Sequence, residues 1–261
     1  MEAWIRLGIF VAILALMLTW EAANPKRQQR VSRWRRWRSH LGLIISSSVL
    51  MRLVAPLGLT GIALWSTEHQ WGLFNQFEWP LWLAVILSMV VLDLILYWQH
   101  RMFHQVPWLW RLHRVHHADP DFDVTTGVRF HPIEMVLSLG IKALAIVLLG
   151  VPAVAVLFFE IVLNACSLFN HGNVQLPAKL ETVVRRVLIT QELHRIHHSS
   201  VKAETNSNYG FSVVWWDWLF SSYTDRAAAG SDFVDIGLNE FREEQRNTPF
   251  WSLITLPFKR Q

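Results

Sequence analysis

With 261 residues, 52% of them hydrophobic, and 15 Trp and 15 Phe, the chain is more apolar than a soluble domain of this length requires, so a bilayer is its expected solvent. Its single cysteine, Cys166, excludes an intrachain disulfide, an iron–sulfur cluster built from this chain alone and a cysteine-based zinc ribbon. Much of the net charge of +4 is concentrated in one loop beside apolar segments, which favours contact with lipid over nucleic acid; no nucleic-acid partner is expected.

The first apolar segment, Ala3 to Trp20, reads as a retained span with its N-terminus outside. Positive charge follows it rather than precedes it, and "WEAAN" is a poor cleavage site for a signal peptidase. The next stretch, "NPKRQQRVSRWRRWRSH", carries seven Lys/Arg between Lys26 and Arg38. By the positive-inside rule it is cytoplasmic, with Trp34 and Trp37 suited to the headgroup layer and the cations to anionic lipid.

Two further spans are predicted at Leu41 to Trp65 and Pro80 to Tyr97, each near the roughly 20 residues a crossing requires. The loop between them, Thr67 to Trp79, has two Glu and no Lys or Arg and falls outside. Ile133 to Phe169 is too long for one span and is broken by "GVP" at Gly150 to Pro152, so it reads as a helical hairpin. Lys142 and Glu160 lie equally far from Val151 at the turn and are expected to pair or to line a polar interior; Arg52 and Asp93 are a looser candidate pair. Residues 170–261 read as a polar, helix-prone cap without a further span. The expected fold is an all-α integral membrane bundle with a helical hairpin and a cytoplasmic cap. The expected regions are 1–79, membrane helices with the basic loop; 80–225, catalytic; and 226–261, a C-terminal tail.

Ten of the twelve histidines fall within residues 100–198. His100 and His104 stand at i and i+4, and His113, His116 and His117 at i, i+3 and i+4, as do His194, His197 and His198, so each group shares one helix face. Eight imidazoles in three one-sided groups exceed what one metal takes and suit two metals with positions left open. Imidazole suits iron, zinc and copper alike, so the spacing speaks to metal number more than to identity.

The segments "DLILYWQHRMFH" from Asp93, "HRVHH" from His113, "RFHPIE" from Arg129, "NHGNV" from Asn170, "HRIHH" from His194 and "NYGFSVVWWDWLF" from Asn208 resemble, in order, those of the fatty acid hydroxylase and sterol desaturase superfamily. The resemblance covers roughly residues 90–225 and makes 80–225 a fatty acid hydroxylase-like catalytic region. It implies that His100, His104, His113, His116, His117, His194, His197 and His198 are catalytic metal ligands, with His171 as a ninth ligand. Where some relatives carry a further histidine, this chain has Gln175; where they often carry Gly-Thr, it has Ser221 and Ser222, a change that sequence alone leaves without a functional meaning. His131, before the hairpin's first helix, is expected to support the site rather than ligate. Asp93, two turns before His100, either receives an imidazole N–H or pairs with Arg52, and Asn208 and Tyr209 either position the last histidine group or serve in packing.

By the same resemblance, two non-haem iron ions, or zinc in purified protein, would use O2 to attack an unactivated C–H bond of a membrane lipid. Hydroxylation is favoured, with desaturation by the same centre as the alternative. Electrons would come from a separate ferredoxin or cytochrome with its reductase, because the chain has no GxGxxG fingerprint, cysteine cluster or "HPGG" segment. The compact length suits a bacterial inner membrane enzyme with its site on the cytoplasmic side. A membrane haem protein or metal transporter is the rival reading, disfavoured because the histidine groups flank the spans instead of lying within them.

Overall fold

Five stretches are long and apolar enough to cross a membrane in the computed structural model, which describes residues 2–259. The first is α1 (Glu2–Ala23). The second, residues 33–75, is not one rod. Helix α2 (Arg33–Val54) stops before Pro56, and α3 (Gly58–Glu68) restarts after it. This corrects the expected single span from Leu41 to Trp65. Proline lacks an N–H and drives its predecessor out of the helical region, and Ala55 accordingly sits at φ −132°, ψ 77°.

The other three spans are α4 (Leu81–Gln105), which continues through the first histidine pair and into α5 (Pro107–His117), and the hairpin α6 (Pro132–Leu149) and α7 (Ala153–Asn170). Short helices complete the chain: α8 (Ala178–Val184), α9 (Gln191–His197), α10 (Lys202–Thr205), α11 (Trp215–Leu219), α12 (Glu244–Asn247) and α13 (Phe250–Thr255). The described residues contain no strand, only isolated bridges at Leu188–Val213 and Ser199–Ile236.

The hairpin organises the bundle. Helix α7 packs against α1, α3 and α4, while α6 packs against α2 and α3. Leu59, Ala63, Leu92, Leu96, Ile146 and Phe159 belong to the shared core. At one end, Glu21 of α1 accepts the Val124 and Asn173 backbone N–H groups, both at 2.7 Å, and so ties the segments after α5 and α7 together. At the other end the "GVP" turn lies against Gly72. A Cβ on Gly72, where φ is +91°, would stand 2.0 Å from the Gly150 nitrogen, so backbone meets backbone and only glycine fits. The histidine motifs between His100 and His198 fall toward the Glu21 end, whereas His69 caps α3 at the other.

Of the two arrangements expected for Lys142 and Glu160, the structure shows the shared polar neighbourhood and not the direct pair, and Arg52 and Asp93 do not pair. Glu160 closes on Arg6 of α1 at 2.6 Å, and Lys142 lies near both without a direct ion pair to Glu160. The neighbour of α7 at this depth is α1, which the hairpin register could not reveal. Arg52 is exposed, and Asp93 is instead bonded by Trp216 at 2.8 Å.

The basic loop also departs from a simple headgroup contact, because much of it turns inward. Arg36 is fully buried and makes a two-pronged bond to Asp119 (2.7 and 2.8 Å) and another to Asp123 (2.6 Å). The backbone N–H groups of Arg30 and Val31 bond Asp121, and Arg129 reaches the carbonyls of Val115 and Asn247. Trp34 remains exposed, but Trp37 bonds Asp123 at 3.4 Å. Burial alone would raise the Asp119 carboxyl; Arg36 and Arg129 outweigh it and hold the group well below the usual carboxylate range.

Two expectations follow from this clamp. Arg36→Met leaves Asp119 and Asp123 buried without their main counter-charge and costs about 3–5 kcal/mol in a thermal-unfolding assay in detergent, whereas Arg35→Met, which removes an exposed pair with Glu244, leaves the unfolding temperature essentially unchanged. Because the Asp119 pKa is depressed on folding, its contribution is present above the unfolded value of about 3.9 and is lost as pH falls through the lower folded value. A stability–pH profile of Asp119→Asn should lack that acid-side loss.

Candidate metal centre

The histidine-bearing elements α4, α5, α7 and α9 meet at one point. Leu112, Val115, Leu193 and Ile196 turn the apolar residues of α5 and α9 into surrounding core and leave the imidazoles to face one another. Nine side chains converge in two groups: His100, His104, His113, His117 and His197 in one, and His116, His171, His194 and His198 in the other. Within each group the ring nitrogens lie within 4.8 Å of one another.

Each three-histidine motif is divided between the groups. In α5, His113 and His117 join the first group and His116 the second; in α9, His194 joins the second with His198, while His197 crosses to the first. At about 100° per residue, i+3 falls roughly 60° to one side of i and i+4 roughly 40° to the other. One motif therefore reaches two centres.

Proton bookkeeping shows what the nitrogens are prepared for. His100 Nδ1 lies 2.8 Å from the Tyr209 carbonyl, His197 Nδ1 2.7 Å from that of Ser207 and His171 Nδ1 2.7 Å from that of Ser167. His113 Nδ1 lies 2.6 Å from the Glu134 carboxylate. A carbonyl accepts only, so the Nδ1 atoms of His100, His197 and His171 carry the proton and their Nε2 atoms present bare lone pairs. Yet His100 Nε2 lies 3.1 Å from His197 Nε2 with no proton between them to share, and 3.1 Å from His113 Nε2 as well. His171 Nε2, bare because its Nδ1 is held by Ser167, is approached by His116 Nε2 at 3.1 Å and His194 Nε2 at 2.9 Å, whose Nδ1 atoms have no hydrogen-bond partner.

Lone pairs at that spacing repel unless a cation lies among them. Two ligands at about 2.1 Å from a metal and at right angles to each other stand about 3.0 Å apart, which matches these separations. Both ring nitrogens of buried His117 and His198 also lack a hydrogen-bond partner, an arrangement that costs free energy unless something else engages them. Burial pushes His113 down to about 3 and His171 to about 4, so both are neutral imidazoles at ordinary pH, the form a metal requires. The residues present therefore fit two metal ions.

His131 joins neither group. Its Nδ1 caps α6 by accepting the Ile133 N–H, and its Nε2 meets the Ile254 carbonyl at 3.2 Å, a structural role. Asp93 takes neither role expected of it, since it accepts from Trp216. The carboxylate that holds an imidazole is Glu134, the last residue of "RFHPIE". Its position in the first turn of α6 was visible in sequence; its approach to His113 was not.

Asn208 and Tyr209 position two histidine elements. The Asn208 amide donates to the Leu193 carbonyl of α9 at 3.1 Å, while Tyr209 supplies the carbonyl that holds His100. Ser221 and Ser222 also gain a meaning. Ser221 sits at φ +55°, a left-handed conformation that glycine adopts without strain, and the Ser222 hydroxyl links Asp217 and the Tyr97 hydroxyl, each at 2.7 Å. Eight of the nine imidazoles are buried; His104 is half-buried, between Trp110 and Tyr209 with ring centres 5.0 and 5.1 Å away.

Comparison with known proteins gives this geometry its context. A family profile described as fatty acid hydroxylase matches residues 85–222, more than half of the chain. The chain is 34% identical to the ornithine lipid hydroxylase OlsE of Rhizobium tropici, over 62% of this chain and 47% of that one. It is 26% identical to a putative Delta(7)-sterol-C5(6)-desaturase 2 of Arabidopsis thaliana, over 63% and 58%, and 25% identical to the human alkylglycerol monooxygenase, over 69% and 39%. The matches thus span between 39% and 58% of these relatives' own lengths. No solved structure matches the chain. The matched region contains all nine converging histidines, and the chain belongs to the fatty acid hydroxylase family.

Proposed function

We propose that the protein is a membrane lipid hydroxylase whose nine converging histidines hold two iron ions. The observation that carries this reading is the pair of adjoining imidazole groups, five and four in number, with ring nitrogens turned toward each other near 3 Å. His100, His104, His113, His117 and His197 are the ligands of one ion, and His116, His171, His194 and His198 those of the other. When bound, such an iron pair would use O2 and electrons from a separate ferredoxin or cytochrome and its reductase to attack an aliphatic C–H bond.

The chain's own residues prepare that chemistry in three ways. The carbonyls of Ser167, Ser207 and Tyr209 and the Glu134 carboxyl group fix ring orientation by bonding Nδ1, which also raises the basicity of the facing nitrogens. Burial of the imidazoles excludes bulk water from a site that must protect a reactive oxidant. The half-buried edge of His104, beside Trp110 and Tyr209, gives an aliphatic chain its approach from the membrane side of α4. The lipid's polar head would stay at the interface. We place the protein in a bacterial inner membrane with this end cytoplasmic, as the basic loop and the Rhizobium relative favour.

Desaturation by the same site is a second reading, favoured by the sterol desaturase among the relatives. Lipid mass spectrometry of a deletion strain carrying wild type or His116→Ala decides between them. Gain of one oxygen atom that requires intact His116 identifies hydroxylation; loss of two hydrogens identifies desaturation; lipids that do not differ between the strains under aerobic growth overturn both.

Metal analysis supplies two further expectations. Purified wild type should retain about two metal ions per chain, with His100→Ala and His194→Ala each losing one from a different group. Glu134→Ala should weaken metal binding by about ten- to a hundredfold, with Glu134→Gln recovering part of it because its amide oxygen can still accept from His113. Competition with a chelator of known affinity measures both.

A further inference from the structure

The C-terminal part of the chain presents an apolar face that neither the metal centre nor the bundle core uses. Leu180, Val183 and Val187, in α8 and the turn after it, are exposed, as are Trp215, Trp218 and Leu219 in α11. The two stretches form one surface, because the Val214 N–H donates to the Val187 carbonyl and Trp215 Nε1 to the Arg186 carbonyl, both at 3.0 Å. Large apolar side chains gathered in this way mark a contact surface, whereas isolated ones do not.

The register against α4 gives this surface its depth. Asp93, the middle residue of α4, accepts from Trp216 at 2.8 Å. One turn further, the Tyr97 hydroxyl meets Ser222 at 2.7 Å; one turn beyond that, Arg101 donates to the Phe220 carbonyl at 3.1 Å. These three form a single i, i+4, i+8 stripe. At 1.5 Å per residue α4 is about 37 Å long, so residues 216–222 lie alongside its histidine-bearing half and not beyond its end. Trp98, exposed on the same helix, packs on Phe220 with ring centres 4.8 Å apart, which continues the lipid-facing surface of α4 onto the α11 segment.

Irregular backbone at membrane depth must have its polar groups satisfied within the protein. Asp217 does this by accepting the Tyr209 and Gly210 N–H groups (2.8 and 2.9 Å) and the Ser222 hydroxyl (2.7 Å). Asp93 does it from α4, where its carboxylate lies against Ser212 and Val213 as well as Trp216.

We infer that α11, together with the exposed stripe of α8, is seated in the acyl layer of one leaflet as a re-entrant element, and that the surface's partner is the bilayer itself. Sequence assigned these residues to a polar, helix-prone cap without a further span. The exposed Lys179 and Arg186 beside the stripe suit the headgroups above it. The placement is independent of the proposed reaction, but it connects membrane to site, since Asp217 of the embedded segment holds Tyr209 and the Tyr209 carbonyl holds His100.

Spin labelling tests the inference. In a Cys166→Ala background, nitroxides at Leu219→Cys and Val183→Cys are compared in phosphatidylglycerol-containing nanodiscs with Leu144→Cys on the exposed face of α6 and Ala229→Cys in an exposed loop. Both test sites should match Leu144, with collisions retained for O2 and lost for a water-soluble nickel chelate. Nickel access at Leu219 equal to that at Ala229 overturns the placement and leaves the face to a protein partner. Because every labelled side chain is exposed, retained metal content serves as the check that each variant is folded.

Discussion

Nine imidazoles cannot be packed against one another at hydrogen-bonding distance without cost when several have their one N–H already engaged elsewhere. Three carbonyls and one carboxyl group bond Nδ1 atoms, and the opposite nitrogens are left facing each other near 3 Å. That arrangement is unfavourable as bare protein and favourable around cations. The surrounding fold can be read as the scaffold needed to hold it.

Part of the scaffold is electrostatic. The segment after α5 carries Asp119, Asp121 and Asp123; the first turn of α2 supplies Arg36, and the loop before it two backbone N–H groups, to bind them. This places the start of α2 against the second histidine motif. Another part is apolar: the hairpin of α6 and α7 carries Glu134 at its beginning and leads to His171 at its end, so the same two helices that fill the bundle core deliver a supporting carboxylate and an imidazole. A third is the α11 segment, which reaches along α4 and holds Tyr209 through Asp217.

Much of the site was legible in sequence because helical spacing is local. The i, i+3, i+4 pattern of His113, His116 and His117, repeated at His194, His197 and His198, identified the converging side chains before any packing was known. "GVP" located the hairpin turn for the same reason, since a glycine and a proline act on their own backbone. Pro56 carried an equally local signal, but it lay inside an unbroken apolar run, and hydropathy hid the break between α2 and α3. Other features were not legible because they join distant residues: Arg36 to Asp119, Glu134 to His113, Glu160 to Arg6 and Asp93 to Trp216. A charge in a sequence shows that a partner is needed without showing which one.

By itself the sequence determined that the chain is helical and membrane-borne and that its histidines form one-faced sets, because hydropathy and helical period depend on near neighbours. Only the tertiary structure decided how those sets are shared. Each three-histidine motif straddles two groups, a division set by where α4, α7 and the partner helix approach α5 and α9. Spacing along one helix cannot specify that, because the rest of each histidine group comes from residues elsewhere in the chain.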